Sequence, residues 1–151
     1  MALHPDYRDI LAAFAAHGVE YLVVGGYAVG FHGTPRFTKD LDLWIRPTTD
    51  NLGRVRDALV SFGAPQNVLQ HLDSATEADV LWMGLPPVRI DIVKGVPGGN
   101  FDEAFRNRVL ASWDGVAANV VSRADLIALK RASGRPQDLL DADMLEREPG
   151  K

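Results

Sequence analysis

The feature that most constrains this chain is a glycine pair directly after an apolar segment, followed by three spaced aspartates. Tyr21–Val24 predicts a short buried strand that runs into Gly25-Gly26. Asp40-Leu41-Asp42 opens a second strand, and Asp91 lies within a third apolar strand pattern at 88–93. A strand that ends in a glycine turn, followed by carboxylates on two further strands, predicts an α/β fold with a phosphate and metal site at one edge of the sheet.

The three aspartates are candidate metal ligands. Because alternate side chains of a strand share a face, Asp40 and Asp42 project together, about 7 Å apart, while Leu41 points into the core. Asp91 faces the polar side of its own strand, and if that strand lies beside the Asp40 strand, the three carboxylates converge. Hard oxygen donors suit octahedral Mg²⁺. Two such ions about 3.5–4 Å apart can activate an attacking hydroxyl and stabilise a leaving pyrophosphate, so the pattern predicts catalysis of nucleotidyl transfer.

The glycine turn is a candidate phosphate site. Backbone N–H groups at a helix N-terminus hold anions, and without Cβ atoms at Gly25 and Gly26 a triphosphate can approach the main chain. The turn is neither a P-loop nor a dinucleotide-binding G-x-G-x-x-G motif. Tyr27 could line the nucleotide pocket or simply pack. Arg36 could bind phosphate oxygens, pair with Asp40 or lie in solvent. His32 could contact nucleotide or substrate, but capping the end of the short helix that follows the turn is its expected role.

Bulk properties exclude several other classes of site. The 151 residues contain no cysteine, which rules out disulfides, thiolate zinc sites and a cysteine nucleophile. The net charge of −4 provides no general basic field for nucleic acid, although a local patch could exist. The most apolar stretch, 22–31, is about half the length of a membrane helix, and the N-terminus does not have a signal-peptide pattern. We therefore expect a soluble cytoplasmic protein that does not enter a membrane.

Strand and helix patterns alternate along the chain. Caps, breakers and periodicity predict helices at 5–17, 27–32, 49–62, from Asn100, from Ser122 and at 136–146, and strands at 21–24, 41–45, 80–83, 88–93 and 117–121. We expect a single domain over 1–147, divided into an α/β core at 1–121 and C-terminal helices at 122–147, with a loose tail at 148–151.

The spacing of these residues resembles a known superfamily. Gly25-Gly26, a gap of thirteen residues, Asp40-Leu41-Asp42 and a later Asp91 are similar to the nucleotidyltransferase superfamily of the DNA polymerase β type. Segments 24–43 and 125–138 look closer to its small bacterial branch, which includes AbiEii-type toxins and minimal nucleotidyltransferases. The resemblance covers roughly residues 18 to 145.

This resemblance implies a fold and a set of residue roles. The fold would be α/β (α+β), a mixed sheet flanked by helices with a short C-terminal helical segment. Asp40 and Asp42 would bind two Mg²⁺ ions, and Asp91 would bind the catalytic metal and help to deprotonate the acceptor. Gly25 and Gly26 would hold the β,γ-phosphates, and Lys130 would reach the nucleotide. Arg135 and Asp138 would be structural, as an ion pair that steadies the last helix, although Asp138 could touch substrate. Many members have serine after the first glycine of the turn, where a hydroxyl binds phosphate. This chain has Gly26 followed by Tyr27, which leaves main-chain amides and Arg36 to bind phosphate.

The implied reaction transfers a nucleoside monophosphate from an NTP, ATP among them, to a hydroxyl acceptor. Three acceptors remain open: an RNA 3′ end, which would fit a toxin with an antitoxin partner, a protein side chain, or a small molecule as in lincosamide-type antibiotic nucleotidyltransferases. A catalytically silent nucleotide-binding module and a hydrolytic metalloenzyme are the alternatives from other classes. A second subunit could complete the substrate cleft as a homodimer. A basic rim could form from Arg106, Arg108, Arg123, Lys130, Arg131 and Arg135.

Overall fold

The computed structural model describes residues 3–34, 38, 40–85 and 88–148. Within them the chain forms one mixed sheet of six strands in the order β3-β4-β2-β1-β6-β5, with seven helices around it. The strands are β1 (Tyr21–Val24), β2 (Asp40–Ile45), β3 (Val80–Leu85), β4 (Val88–Val93), β5 (Val109–Trp113) and β6 (Val116–Val120). The helices are α1 (Pro5–Ala16), α2 (Gly25–His32), α3 (Thr49–Phe62), α4 (Gln66–His71), α5 (Phe101–Arg106), α6 (Arg123–Ser133) and α7 (Pro136–Arg147). The α+β class predicted from the sequence is thus confirmed.

The centre of the sheet is built from β1, β2 and β4. β1 pairs antiparallel with β2, and β2 pairs parallel with β4. Leu41, Leu43, Ile90 and Ile92 from these strands are buried in the core on one face. The polar residues between them point to the other face, as the period of two requires. The predicted adjacency of the Asp40 and Asp91 strands is therefore confirmed.

Helix ends follow the capping signals in the sequence. The hydroxyl of Thr48 accepts a hydrogen bond from the Asn51 N–H at the start of α3. The hydroxyl of Ser122 does the same for Asp125 at the start of α6. Each cap satisfies one of the backbone donors that a first helical turn leaves free. The α6 and α7 helices pack against each other and both contact α2, which places the C-terminal helices beside the helix that begins with the glycine pair.

Two predictions of secondary structure were wrong. The helix expected from Tyr27 begins at Gly25, so the glycine pair forms the first turn of α2 itself rather than a separate turn before it. Strand β5 at Val109–Trp113 was not predicted. It lies at the edge of the sheet, where only Ala111 and Trp113 are buried and Leu110 is 70% exposed, so its apolar pattern is weak. Of the helices in the described ranges, none combines the length and apolar character needed to cross a bilayer.

Candidate active site

The core of the candidate site is the pair Asp42 and Asp91. These residues are register partners on the parallel strands β2 and β4. The strand pairing continues the same row to Val24 of β1 on one side and to Trp82 of β3 on the other. Side chains of paired residues point to the same face of a sheet, so the two carboxyl groups lie side by side above it.

The two carboxyl groups are close enough for Asp91 to affect the ionisation of Asp42. Burial, and then the negative charges of Asp91 and Asp40, raise the pKa of Asp42 to about 7, and a hydrogen bond between the Asp42 and Asp91 carboxyls acts in the same direction. Like-charged oxygens at this range require either a shared proton or a cation between them. The pair is therefore a strong candidate for cation binding.

Asp40 is placed differently from the other two. It lies on the same face at the start of β2, and its register partner on β4 is Arg89 rather than an acid. In the ranges that the structure describes, no three acidic or histidine side chains are grouped tightly enough to form a metal site. The three aspartates predicted as metal ligands thus share a face, with two of them forming the close pair and Asp40 one step along the strand.

The first turn of α2 packs directly on this pair. Gly25 has a φ of +69°, and a Cβ built on it would lie 2.1 Å from the Oδ2 of Asp42. A Cβ on Gly26 would lie 2.5 Å from the hydroxyl oxygen of Thr38. Glycine is therefore required at Gly25 both by its backbone conformation and by the approach of the carboxylate. This arrangement brings the N-terminal amides of α2 next to the Asp42 carboxyl group.

A large cleft opens beside the Gly25–Asp42 contact. Its volume is about 980 Å³, which is within the usual size of a small-molecule or cofactor site. One wall is formed by Gly25 and Asp42, and the loops 77–80 and 95–99 form its sides. The cleft is also lined by α6 and by the turn that leads into α7, through Lys130 and Arg135.

Lys130 lines this cleft, and its charge is engaged by two aspartates. Its Nζ is 3.0 Å from the Oδ1 of Asp138 and 3.2 Å from the Oδ2 of Asp141. Burial alone would raise the pKa of Asp138, but hydrogen bonds from Ser133, Lys130 and Arg135 and the charge of Lys130 hold it below its usual value. The expected Arg135–Asp138 ion pair is present, at 2.9 Å. Lys130 still acts at a distance on the acidic pair, since its charge opposes the rise in the pKa of Asp42.

Three other residues named from the sequence have different outcomes. The ring of Tyr27 contacts Tyr7 and Trp113, with centroid distances of 5.6 and 6.0 Å. The ring does not line the cleft, so of its two predicted roles the structure shows packing. Arg36, predicted to bind phosphate, lies outside the described residues. His32 does not cap α2. Its buried Nε2 is 2.7 Å from the carbonyl oxygen of Val121, which ties α2 to the end of β6.

Sequence reasoning missed two cations near the site. The Nε of Arg89 donates a hydrogen bond of 2.7 Å to the Oδ1 of Asp91. Its position two residues before Asp91 on the same strand was a signal that could have identified it. Lys94, which follows β4, is buried and donates to the carbonyl oxygens of Asp73 and Ala75, which fixes the loop before β3. Nothing in the local pattern indicated that this lysine would reach back to residues about twenty positions earlier.

Comparison with known proteins gives the fold a parallel. No protein-family model and no curated protein sequence matches the chain. Among solved structures, the lincosamide antibiotic adenylyltransferase LnuA, bound to lincomycin, is similar with a TM-score of 0.57 and 14% identity, over 96% of this chain and 97% of that one. ANT(2″)-Ia in complex with adenylyl-2″-tobramycin is similar with a TM-score of 0.55 and 14% identity, over 92% and 84% of the two chains. A solution structure of the antibiotic-resistance factor ANT(2″)-Ia aligns with a TM-score of 0.53 and 13% identity, over 93% and 80%. The chain therefore has the nucleotidyltransferase fold over nearly its whole length.

Proposed function

We propose that this protein is a Mg²⁺-dependent nucleotidyltransferase that transfers a nucleoside monophosphate from an NTP to a hydroxyl group of a small molecule. The observation that carries the proposal is the contact of Gly25 with Asp42 on the wall of the large cleft, with Asp91 as the register partner of Asp42 on the neighbouring strand. Phosphate-binding amides and paired carboxylates are the two parts that this reaction needs side by side.

The donor set fits a divalent cation. Asp42 and Asp91 present hard carboxylate oxygens from two rigid strands, and the pKa of Asp42 is raised by burial and by the negative charges of Asp91 and Asp40, which a cation would offset. Asp42 and Asp91 would hold the ion, with Asp40 available one step along β2. When bound, Mg²⁺ supplies Lewis-acid stabilisation of the phosphate charge and favours ionisation of the attacking hydroxyl.

The residues of the chain divide the remaining work. The N-terminal amides of α2, at Gly25 and Gly26, bind phosphate oxygens of the NTP next to Asp42. A carboxylate of the aspartate pair accepts the proton of the acceptor hydroxyl. The hydroxyl oxygen then bonds to the α-phosphorus, and the bond from the α-phosphorus to the oxygen that bridges it to the β-phosphorus breaks. Lys130, which lines the cleft, contributes positive charge that stabilises the negative charge of the departing pyrophosphate. The cleft walls from α6 and from the loop at 95–99 limit the access of water to the reacting groups.

A small-molecule acceptor fits the charges of this surface better than RNA does. Of the six cations considered for a basic rim, five are engaged within the protein: Arg108, Arg123, Lys130, Arg131 and Arg135 contact acidic side chains, backbone carbonyls or an aromatic ring. The cleft is also lined by Glu77 and Asp79, which repel a polyanion. LnuA is an antibiotic adenylyltransferase with bound lincomycin, and one ANT(2″)-Ia structure contains adenylyl-2″-tobramycin. ATP and hydroxyl-bearing small molecules are therefore the substrates to test first.

The alternative is a module of the same fold that binds nucleotide without turnover. It is favoured by one specific observation, that Asp91 and Lys130 are both paired with opposite charges. A toxin that modifies RNA together with an antitoxin partner is a further alternative, and the same experiment addresses it.

The proposal is tested by following transfer of label. The protein is incubated with Mg²⁺ and each α-³²P-labelled NTP, against lincomycin, tobramycin, other hydroxylated small molecules, total RNA and cell protein. We expect label in a small molecule, absent with Asp42→Asn and retained with Asp57→Asn, which removes an exposed charge on α3. Label in RNA or protein would contradict the small-molecule acceptor. NTP binding without label in any pool would favour the non-catalytic module.

A further inference from the structure

Arg89 is in contact with the candidate metal ligands and has no place in the mechanism above. Its Nε is 2.7 Å from the Oδ1 of Asp91, whose side chain is only 13% exposed. The hydrogen bond to Asp91 and the negative charges of Asp91, Asp40 and Asp42 all raise the pKa of Arg89. The guanidinium is therefore coupled to the whole acidic row and occupies an oxygen of one of its central carboxylates.

The backbone of Arg89 is fixed, whereas its side chain has a second contact. The hydroxyl of Tyr7, a residue only 1% exposed, donates to the Arg89 carbonyl at 3.0 Å and accepts from the Arg89 N–H at 3.1 Å. The guanidinium carbon lies 4.9 Å from the ring centroid of Trp82, which is 50% exposed on the edge strand β3. A cation over an indole ring is stabilised without any carboxylate. The side chain can therefore leave Asp91 without losing its remaining partner.

We propose that Arg89 is a positioning residue that competes with Mg²⁺ for Asp91. It holds the Asp91 carboxyl next to Asp42, and it releases this carboxyl to the metal by moving fully onto the ring of Trp82. The inference rests on the proposed function, because it takes Asp42 and Asp91 as the metal ligands. It assigns a role to a cation that the sequence motifs do not include.

The physical reason is competition between two cations for one carboxylate. An Asp91 oxygen that accepts a hydrogen bond from Arg89 shares its negative charge with the guanidinium and is therefore a weaker ligand for a metal. A positive charge a few ångströms from a dication also opposes its binding directly. The ion pair between Arg89 and Asp91 thus holds the two repelling carboxyl groups in position, and it weakens the affinity of the site for a metal.

The test measures metal binding without any substrate. Mn²⁺ binding is followed by electron paramagnetic resonance for the wild type, Arg89→Gln, Arg89→Lys and Arg56→Gln. Arg56→Gln is the matched control because it removes a guanidinium that pairs with Asp73 on the surface. We expect Arg89→Gln to bind Mn²⁺ at least about fivefold more tightly than the wild type, and Arg89→Lys and Arg56→Gln to stay within about twofold.

Tryptophan fluorescence provides a second measurement that needs no Arg89 variant. Trp44 and Trp113 are buried, so Trp82 is the tryptophan whose surroundings change when Arg89 moves. We expect Mg²⁺ to alter the emission of the wild type and not that of Trp82→Phe.

The outcomes separate this inference from the proposed function. Equal Mn²⁺ affinity of the wild type and Arg89→Gln would overturn the role of Arg89 and leave the metal site intact. No Mn²⁺ binding by either protein would overturn both the metal site and this inference. If Arg89→Gln does not fold, an emission of the wild type that does not respond to Mg²⁺ would overturn the inference on its own.

Discussion

Replacement of Gly25 by alanine is the perturbation that tests most directly how the first turn of α2 is joined to the acidic pair. Gly25 has a φ of +69°, a conformation that costs an L-residue about 1–2 kcal/mol. In addition, the new Cβ would lie 2.1 Å from the Oδ2 and 2.9 Å from the Cγ of Asp42. Both atoms must move, and overpacking of this kind costs about 1–3 kcal/mol.

The control is Gly115→Ala in the turn between β5 and β6. Gly115 has a similar φ of +79°, and a Cβ built on it meets nothing within 4 Å. Gly115→Ala therefore incurs the backbone cost without a collision. Because the Asp42 carboxyl can relieve part of the clash by rotation, we expect Gly25→Ala to lose about 1 kcal/mol more stability than Gly115→Ala.

The larger effect is expected in function. The atoms that must move belong to a carboxylate of the candidate site, and a displacement of about 1 Å at a reacting centre can reduce the rate about 100-fold. Urea unfolding gives the stability difference, and transfer of α-³²P label gives the rate. A Gly25→Ala protein with the stability of Gly115→Ala and the rate of the wild type would refute the contact and the role of Asp42 inferred from it.

Three further predictions concern Asp42 and Asp138, which line the cleft, and Lys94, which fixes a loop beside it. Asp42→Asn should lose Mg²⁺-dependent transfer. Because the pKa of Asp42 is raised from 3.8 to about 7, its charged form opposes folding. We therefore expect Asp42→Asn to be more stable than the wild type at pH 8 by at least about 1 kcal/mol, and this difference to fade toward pH 4. Urea unfolding in the presence of EDTA measures it. Asp138→Asn should lose about 1–3 kcal/mol at pH 7 because Lys130 loses a buried partner. Since the pKa of Asp138 is held below its usual value, that stabilisation is present above the ordinary aspartate pKa, and unfolding curves of this variant and the wild type should converge as the pH falls below about 4. Lys94→Met should raise the KM for NTP about tenfold and leave kcat within about twofold, because the loop at 72–79 loses its two hydrogen bonds to the lysine. Initial rates measure both constants, and a fall in kcat alone would contradict this role.

The sequence was sufficient to predict the faces of the strands but not all of their partners. The period of two placed Asp42 on the polar face of β2 and Asp91 on the polar face of β4, and both placements are confirmed. Their register depends on how α3, α4 and β3, which lie between them in the chain, pack against the sheet. That packing follows from long-range contacts, and the sequence could state the adjacency only as a condition.

The pairing of cations was beyond local patterns. The ion pairs of Lys130 with Asp138 and Asp141 cross the turn between α6 and α7, so they depend on the angle at which the two helices meet. The contact of Arg89 with Asp91 is local in sequence, yet an arginine two residues from an acid on a strand can either pair with it or lie in solvent, because an ion pair near the surface contributes little. The choice between these states depends on Trp82 and Tyr7, which come from β3 and α1.

The position of Asp42 and Asp91 in the sheet explains why the charge and spacing of their carboxyl groups would depend on neighbouring cationic side chains. Asp42 and Asp91 lie on two central strands whose opposite face is buried by Leu41, Leu43, Ile90 and Ile92, so the backbone beneath them has little freedom to move. Any change in the charge or spacing of the carboxyls must therefore come from groups that reach the polar face from outside. Arg89 from the same sheet and Lys130 from α6 are two such cations, and each is already held by an aspartate. Under the proposed function, a metal that binds Asp91 competes with the ion pair between Arg89 and Asp91. Metal affinity would then depend on the strength of that pair rather than on backbone movement.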